Sequence, residues 1–138
     1  MAQSIYITSA EGHSGKSTVA LGVLDALSHA TARVGVFRAI ARSTIERDYV
    51  LEMLLDHDGV DLPYDDCIGV TYDDVRQDPD AALATIVERY KAVEAQCDAV
   101  VIVGSDDPSC SGCVWFCAER PPSTSSTGAP RFAAMRAL

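Results

Sequence analysis

The residues best suited to chemistry lie in one short segment near the start of the chain, Gly-His-Ser-Gly-Lys-Ser-Thr. Its Gly-Lys-Ser portion matches the second half of the phosphate-binding pattern G-x-x-x-x-G-K-[ST], although Ala10 stands where the first glycine is expected. Successive backbone amides and the positive end of a following helix attract anions, and a lysine ammonium can reach outer phosphates. The segment therefore predicts phosphate binding, with an ordinary turn before a helix as the alternative. The predicted binding residues are Gly12, His13, Ser14, Gly15, Lys16, Ser17 and Thr18.

A phosphate loop that also holds Mg²⁺ needs a hydroxyl group and an acidic residue at the end of a neighbouring strand. Ser17 offers the hydroxyl, and Asp106 follows the apolar run at residues 99–103. We therefore predict that Ser17 and Asp106 are metal ligands. The competing interpretation is that Asp106 and Asp107 only begin a solvated turn, and the sequence leaves both interpretations open.

Short apolar runs alternate with stretches of helical spacing along the chain. The predicted strands are residues 4–9, 33–40, 67–72 and 99–103. Helices are predicted from Lys16 onward, from a capping box at Ser43 and Glu46 to Gly59, and from Asp78-Pro79 to Cys97. Strands without polar alternation, separated by helices, are typical of a parallel sheet covered on both faces. The predicted fold class is α/β: a P-loop NTPase-like parallel sheet with helices on both faces, incomplete within this chain.

Charge and hydropathy narrow the classes of partner. The chain has 138 residues with a net charge of −9, and residues 1–107 alone carry 19 acidic and 8 basic side chains, a net −11. An acidic surface argues against a nucleic-acid backbone or an anionic membrane as partner, because both require basic patches. No apolar run approaches the length of a membrane span, and the first residues do not form a secretory signal. We therefore expect a cytoplasmic protein.

Residues 4–9, 35–38, 40–42, 69–74 and 101–106, together with Glu11-Gly12 and Gly15-Lys16-Ser17, form the most specific pattern in the chain. In this combination they resemble the N-terminal domain of long-form phosphate acetyltransferases. That domain is in turn similar to dethiobiotin synthetase and the cobyrinate diamide synthases, which are ATP-dependent ligases with a P-loop α/β fold.

The resemblance implies a regulatory domain that binds ATP, another nucleotide or a small-molecule effector, with Mg²⁺, and that does not consume it. In that family, the conversion of acetyl-CoA and phosphate to acetyl phosphate and CoA belongs to a separate C-terminal domain. This chain has no segment that could encode that domain, so we expect no catalytic residue in it. We expect a homo-oligomer, and neither nucleic acid nor membrane as a partner.

Arg38 marks a departure from the ligases. Dethiobiotin synthetases carry a Lys-Pro pair at the end of the second strand, where the lysine serves the substrate carbamate and phosphates, and Arg38 and Ala39 occupy the matching positions. Arginine keeps the charge but replaces a compact ammonium with a planar fork. We predict that Arg38 is a cofactor-binding residue, with a surface charge at a strand end as the alternative. An ATP-dependent ligase of the dethiobiotin synthetase type stays the alternative function.

The last 31 residues differ from the rest of the chain. Residues 108–138 carry one acidic and three basic side chains and three of the five cysteines, and they show no strand or helix pattern beyond residues 114–117. We therefore interpret residues 1–107 as a partial P-loop domain. We interpret residues 108–138 as a tail that is out of frame, truncated or disordered.

Overall fold

The computed structural model describes residues 2–9, 15–43 and 45–105, and the backbone of residues 132–136. Strands and helices alternate along most of this length. The strands are β1 (Gln3–Thr8), β2 (Val34–Ala41), β3 (Ile68–Thr71), β4 (Ala99–Val103) and β5 (Phe132–Arg136). The helices are α1 (Lys16–Ala30), α2 (Tyr49–Leu55), α3 (Tyr72–Gln77) and α4 (Pro79–Glu94), and a single 3₁₀ turn lies at Tyr64–Asp66.

The strands form one parallel sheet in the order β3-β2-β4-β1-β5. β4 lies between β1 and β2, with Ile5 opposite Val101 and Val36 opposite Val101 on its other side. Because all strands run the same way, their carboxyl ends lie at one edge of the sheet. The loops that follow β1, β2 and β4 therefore begin at the same edge.

Side chains alternate between two apolar layers, one on each face of the sheet. On one face, α1 and α2 pack through Leu24 and Leu54 against Val101 and Val103 of β4. On the other face, α4 packs through Tyr90 and Val93 against Phe37, Val100 and Ile102. α3 and the start of α4 extend this second layer over β3. The α/β class with helices on both faces is confirmed.

Most predicted elements are present, and helix α4 shows why. Its first turn is fixed locally, since the Asp78 side chain accepts a hydrogen bond from the Ala81 amide and Pro79 occupies the first helical position. Its apolar side chains Ile86, Tyr90 and Val93 then face the sheet. Local capping and the 3.6-residue period point to the same helix, and the prediction is confirmed.

The predicted capping box at Ser43 and Glu46 is wrong. The Ser43 hydroxyl accepts hydrogen bonds from the amides of Ile45 and Glu46, but these residues form a local bend rather than the start of a helix. Helix α2 begins at Tyr49 with Asp48 as its cap and ends at Leu55, short of Gly59. Serine hydroxyls make the same hydrogen bonds in turns as in caps, so the pattern alone could not locate the helix.

Two described elements were missed in the sequence. Helix α3 follows β3 directly and is held by a true capping box between Thr71 and Asp74. Strand β5 pairs with β1 in parallel register from Ser4 opposite Phe132 to Thr8 opposite Arg136. Its sequence, Phe-Ala-Ala-Met-Arg, contains no β-branched residue, so pairing with β1 rather than local propensity defines it.

None of the helices among the described residues is both long enough and apolar enough to cross a membrane.

Candidate anion-binding site

The N-terminus of α1 has several features that suit an anionic ligand. Gly15 precedes the helix with φ of +76°, a left-handed conformation that favours glycine. No described side chain caps the helix, and its first turn contains no acidic residue. The first amides of a helix have no partner within the helix, and the helix dipole makes this end positive.

Lys16 lies at the first position of this helix, and its side chain is only 3% exposed. Its ammonium donates hydrogen bonds to the carbonyl oxygens of Gly104, at 2.8 Å, and Ser105, at 2.6 Å. These carbonyls directly follow β4, so the lysine side chain extends from the start of α1 to the carboxyl end of the central strand. Buried charges need such partners because burial in apolar surroundings strongly disfavours an isolated ion.

Arg38 approaches the same carbonyl from the neighbouring strand. It follows Val34 and Val36 along β2 at a two-residue spacing, which directs its side chain to the face covered by α1 and α2. Its Nη1 donates to the Gly104 oxygen at 2.6 Å, and its Nε donates to Asp48 Oδ2 at 3.2 Å. The side chain is 4% exposed, so the interpretation of Arg38 as a surface charge is wrong.

Asp48 is the residue of this cluster that the sequence analysis missed. Its Oδ1 accepts hydrogen bonds from the amides of Val50 and Leu51, which caps α2, while its Oδ2 pairs with Arg38. The carboxylate is 10% exposed, and its own amide donates to the hydroxyl of Tyr64 at 2.7 Å. An aspartate just before a helix is a recognised capping signal, but only the fold brings Arg38 next to it.

Two buried cations, Lys16 and Arg38, lie close together in this cluster. Because Lys16 Nζ and Arg38 Nη1 both contact one oxygen, at 2.8 and 2.6 Å, they lie no more than about 5.4 Å apart. Asp48 is the single described carboxylate paired with either group. With the positive end of α1 at the same sheet edge, this arrangement suits an anionic ligand, and the carboxyl edge of a parallel sheet is where such ligands usually bind.

The structure locates only some of the predicted site residues. The start of α1 contains Gly15, Lys16, Ser17 and Thr18. Arg38 lies near them because it donates to the same Gly104 carbonyl as Lys16. Ser17 is half-buried, and its hydroxyl makes no hydrogen bond to a described residue. Gly12, His13, Ser14 and the predicted metal ligand Asp106 lie outside the described residues. Within the described ranges, no group of three metal-binding side chains is found.

The two cysteines of the described part, Cys67 and Cys97, are buried free thiols. Burial, assisted by the nearby Asp66, raises the pKa of Cys67 to about 12, and burial also raises the pKa of Cys97. The thiolate is the reactive form, so both side chains stay protonated and inert at neutral pH.

Comparison with known proteins reveals related sequences. A family described as an AAA domain, AAA_26, matches residues 3–111. A phosphate acetyltransferase of Nitratidesulfovibrio vulgaris is 34% identical over 113 residues, an alignment that covers 77% of this chain and 16% of the relative. A phosphate acetyltransferase of a Synechocystis species is 29% identical over 113 residues, with the same two coverages. The chain therefore spans about 16% of the length of these curated relatives.

Proposed function

Because the chain belongs to the AAA_26 family, a dethiobiotin synthetase-like group of P-loop domains, we propose that it binds a nucleotide at the start of α1 and regulates a phosphate acetyltransferase. The ligand tunes the transferase and is not consumed. The observation that carries the proposal is the position of Lys16, whose buried ammonium is held at the end of β4 beside a second buried cation, Arg38.

The described residues fit the phosphate end of a nucleotide. The first amides of α1 are uncapped by described side chains, Gly15 provides the left-handed turn, and Lys16 supplies a positive charge that can neutralise phosphate. Ser17 has a hydroxyl suited to Mg²⁺, and we assign it and Asp106 as the residues that would hold the ion. When bound, Mg²⁺ supplies positive charge to the phosphates.

The regulatory role rests on the activity of the relatives and on their length. Both are phosphate acetyltransferases, and the aligned portion is 16% of each. We propose that acyl transfer between acetyl-CoA and phosphate belongs to a part of such proteins outside the aligned portion. The cytoplasmic location, the homo-oligomer and the division into residues 1–107 and a tail of residues 108–138 belong to the same proposal.

Calorimetry with Mg-ATP tests the proposal, and the chain offers a matched control. Lys16 and Lys91 are its two lysines, and Lys91 lies exposed on α4. We expect binding by the wild type and by Lys91→Met, and at least a tenfold weaker affinity in Lys16→Met, because a hydrogen bond to a charged group contributes roughly 1.5–3 kcal/mol. Absence of binding in the wild type would overturn the proposal.

Two activity assays separate the proposed role from catalysis. We expect no ADP from Mg-ATP, with or without candidate carboxylic acids, and no acetyl phosphate from acetyl-CoA and phosphate. Steady ADP release that depends on an added acid would instead support a ligase of the dethiobiotin synthetase type. Formation of acetyl phosphate by this chain alone would contradict the assignment of a non-catalytic domain.

A further inference from the structure

We propose that Asp48 is a positioning residue that couples anion binding at the Lys16–Arg38 cluster to the N-terminus of α2. The inference rests on the proposed function, because it concerns regulation of the same site. Its basis is that the two oxygens of the Asp48 carboxylate have different partners. Oδ2 pairs with the Arg38 guanidinium at 3.2 Å, and Oδ1 accepts the amides of Val50 at 3.0 Å and Leu51 at 3.1 Å.

Burial makes this shared carboxylate sensitive to changes in its surroundings. The side chains of Arg38 and Asp48 are 4% and 10% exposed, so water screens their interaction far less than it would at the surface. Lys16 and Arg38 both contact the Gly104 oxygen, so an anion bound between the two cations would interact with the guanidinium as well. The anion then competes with Asp48 for the guanidinium, and its charge repels the carboxylate.

This competition would affect exposed residues beside the N-terminus of α2. Asp48 also fixes the preceding connection, since its amide donates to the hydroxyl of Tyr64, and the guanidinium of Arg47 lies over the Tyr64 ring at 4.8 Å. Ile45 and Tyr49 flank this cap and are exposed apolar side chains. A ligand that loosens the Arg38–Asp48 pair therefore loosens the cap of α2 and the segment that carries both side chains.

Thermodynamic reciprocity gives the sign of the effect. If the bound anion weakens the contacts of Asp48, then Asp48 weakens the binding of the anion by the same factor. Removal of the carboxylate charge should therefore tighten binding. A residue that merely caps a helix would have no such effect on affinity, and a metal-binding carboxylate would have the opposite effect whenever Mg²⁺ is present.

Cap-preserving substitutions separate the charge of Asp48 from its hydrogen bonds to α2. Serine and asparagine both cap helices well, so Asp48→Ser and Asp48→Asn retain an acceptor for the α2 amides and lose the charge. The NH₂ group of asparagine is a donor that can reach the Arg38 guanidinium. The serine side chain is too short to do so, and Asp48→Ser therefore avoids placing a donor against Arg38. Asp78→Asn is the matched control, because Asp78 caps α4 through the Ala81 amide and makes no described contact with the cluster.

The experiment titrates the full chain with ATP and with inorganic pyrophosphate, each in EDTA and in Mg²⁺. We expect Asp48→Ser and Asp48→Asn to bind both probes more tightly in either medium, on the order of fivefold or more. Asp78→Asn should bind as the wild type does. In the wild type, hydrogen exchange at the Val50 and Leu51 amides should be faster with ligand, while exchange at Ala81 should not change. In Asp48→Ser the exchange at Val50 and Leu51 should no longer depend on ligand.

Failure of the coupling can be told apart from failure of the proposed function. If the wild type binds but Asp48→Ser and Asp48→Asn have unchanged or weaker affinity, the coupling is overturned and nucleotide binding stands. Weaker binding confined to Mg²⁺ overturns it in favour of a metal ligand. If the wild type binds neither probe, the proposed function is overturned and the coupling with it.

Discussion

The ammonium of Lys16 and the guanidinium of Arg38 donate hydrogen bonds to one backbone oxygen, the carbonyl of Gly104, at 2.8 and 2.6 Å. Two like charges are thereby held together at the end of the central strand, with the carboxylate of Asp48 beside one of them. Like charges at this separation repel, and an anion between them relieves the repulsion. This relationship places two buried cations at the carboxyl edge of the sheet, where ligands of such sheets usually bind.

Gly15 should be intolerant of a side chain, and Gly22 should not. Gly15 has φ of +76°, where an L-residue costs roughly 1–2 kcal/mol, so Gly15→Ala should lower the free energy of unfolding by about that amount. Gly22 lies within α1 with open space around its Cα, so Gly22→Ala should raise stability by about 0.5–1 kcal/mol. Urea melts of the two variants test the contrast, and equal effects would contradict the assigned conformation of Gly15.

Loss of the guanidinium at Arg38 should destabilise the fold far more than loss of an exposed one. Arg38→Met leaves the Asp48 carboxylate, which is 10% exposed, without its partner, a type of change that costs about 3–5 kcal/mol. The comparison is Arg33→Met, whose pair with Asp98 is exposed and should contribute less than about 1 kcal/mol. Chemical denaturation measures both, and a similar small loss in the two variants would mean that the pair does not matter for stability.

The hydroxyl of Tyr90 should stabilise the layer between α4 and the sheet. It hydrogen-bonds to the buried Ser4 hydroxyl, and the Tyr90 ring meets the edge of Phe37 at a centroid distance of 5.8 Å. Tyr90→Phe keeps the ring and leaves Ser4 without this partner, which should cost about 1–3 kcal/mol. Tyr49→Phe is the control, since Tyr49 is 75% exposed and should change stability little. The double variant Ser4→Ala/Tyr90→Phe removes both hydroxyls, so it should recover most of the stability that Tyr90→Phe loses.

Alkaline pH should destabilise the fold through its buried thiols. Burial raises the pKa of Cys67 from 9.0 to about 12, so the unfolded chain loses this proton at lower pH than the folded one. Above about pH 9 the folded state holds more protons, and the free energy of unfolding must fall as pH rises toward 12. The raised pKa values of Tyr90 and Cys97 act in the same direction.

Urea melts between about pH 8 and pH 11 measure this fall, and Cys67→Ala identifies its source. The variant loses core packing, so it should be less stable at every pH, but its stability should depend less steeply on pH than that of the wild type. An equal slope in the two proteins would exclude Cys67 as the source.

Local signals were sufficient where one short segment carries all the information. Asp78-Pro79 and the apolar period after it fix the start and the buried face of α4, and the fully apolar run Ala99–Val103 fixes β4. Local signals failed where the partner is remote. The hydroxyl of Ser43 serves a bend instead of a helix, and β5 exists because β1 offers an edge for pairing.

The sequence by itself determined that a strand, a Gly-Lys-Ser motif and a helix follow one another around Gly15 and Lys16, because spacing along the chain is all that this motif requires. Only the tertiary structure decided that Arg38 is buried, that it shares Gly104 with Lys16, and that Asp48 balances it. Parallel strands that are distant in sequence end at one edge, so charges from separate segments meet there, and no local pattern records their distance.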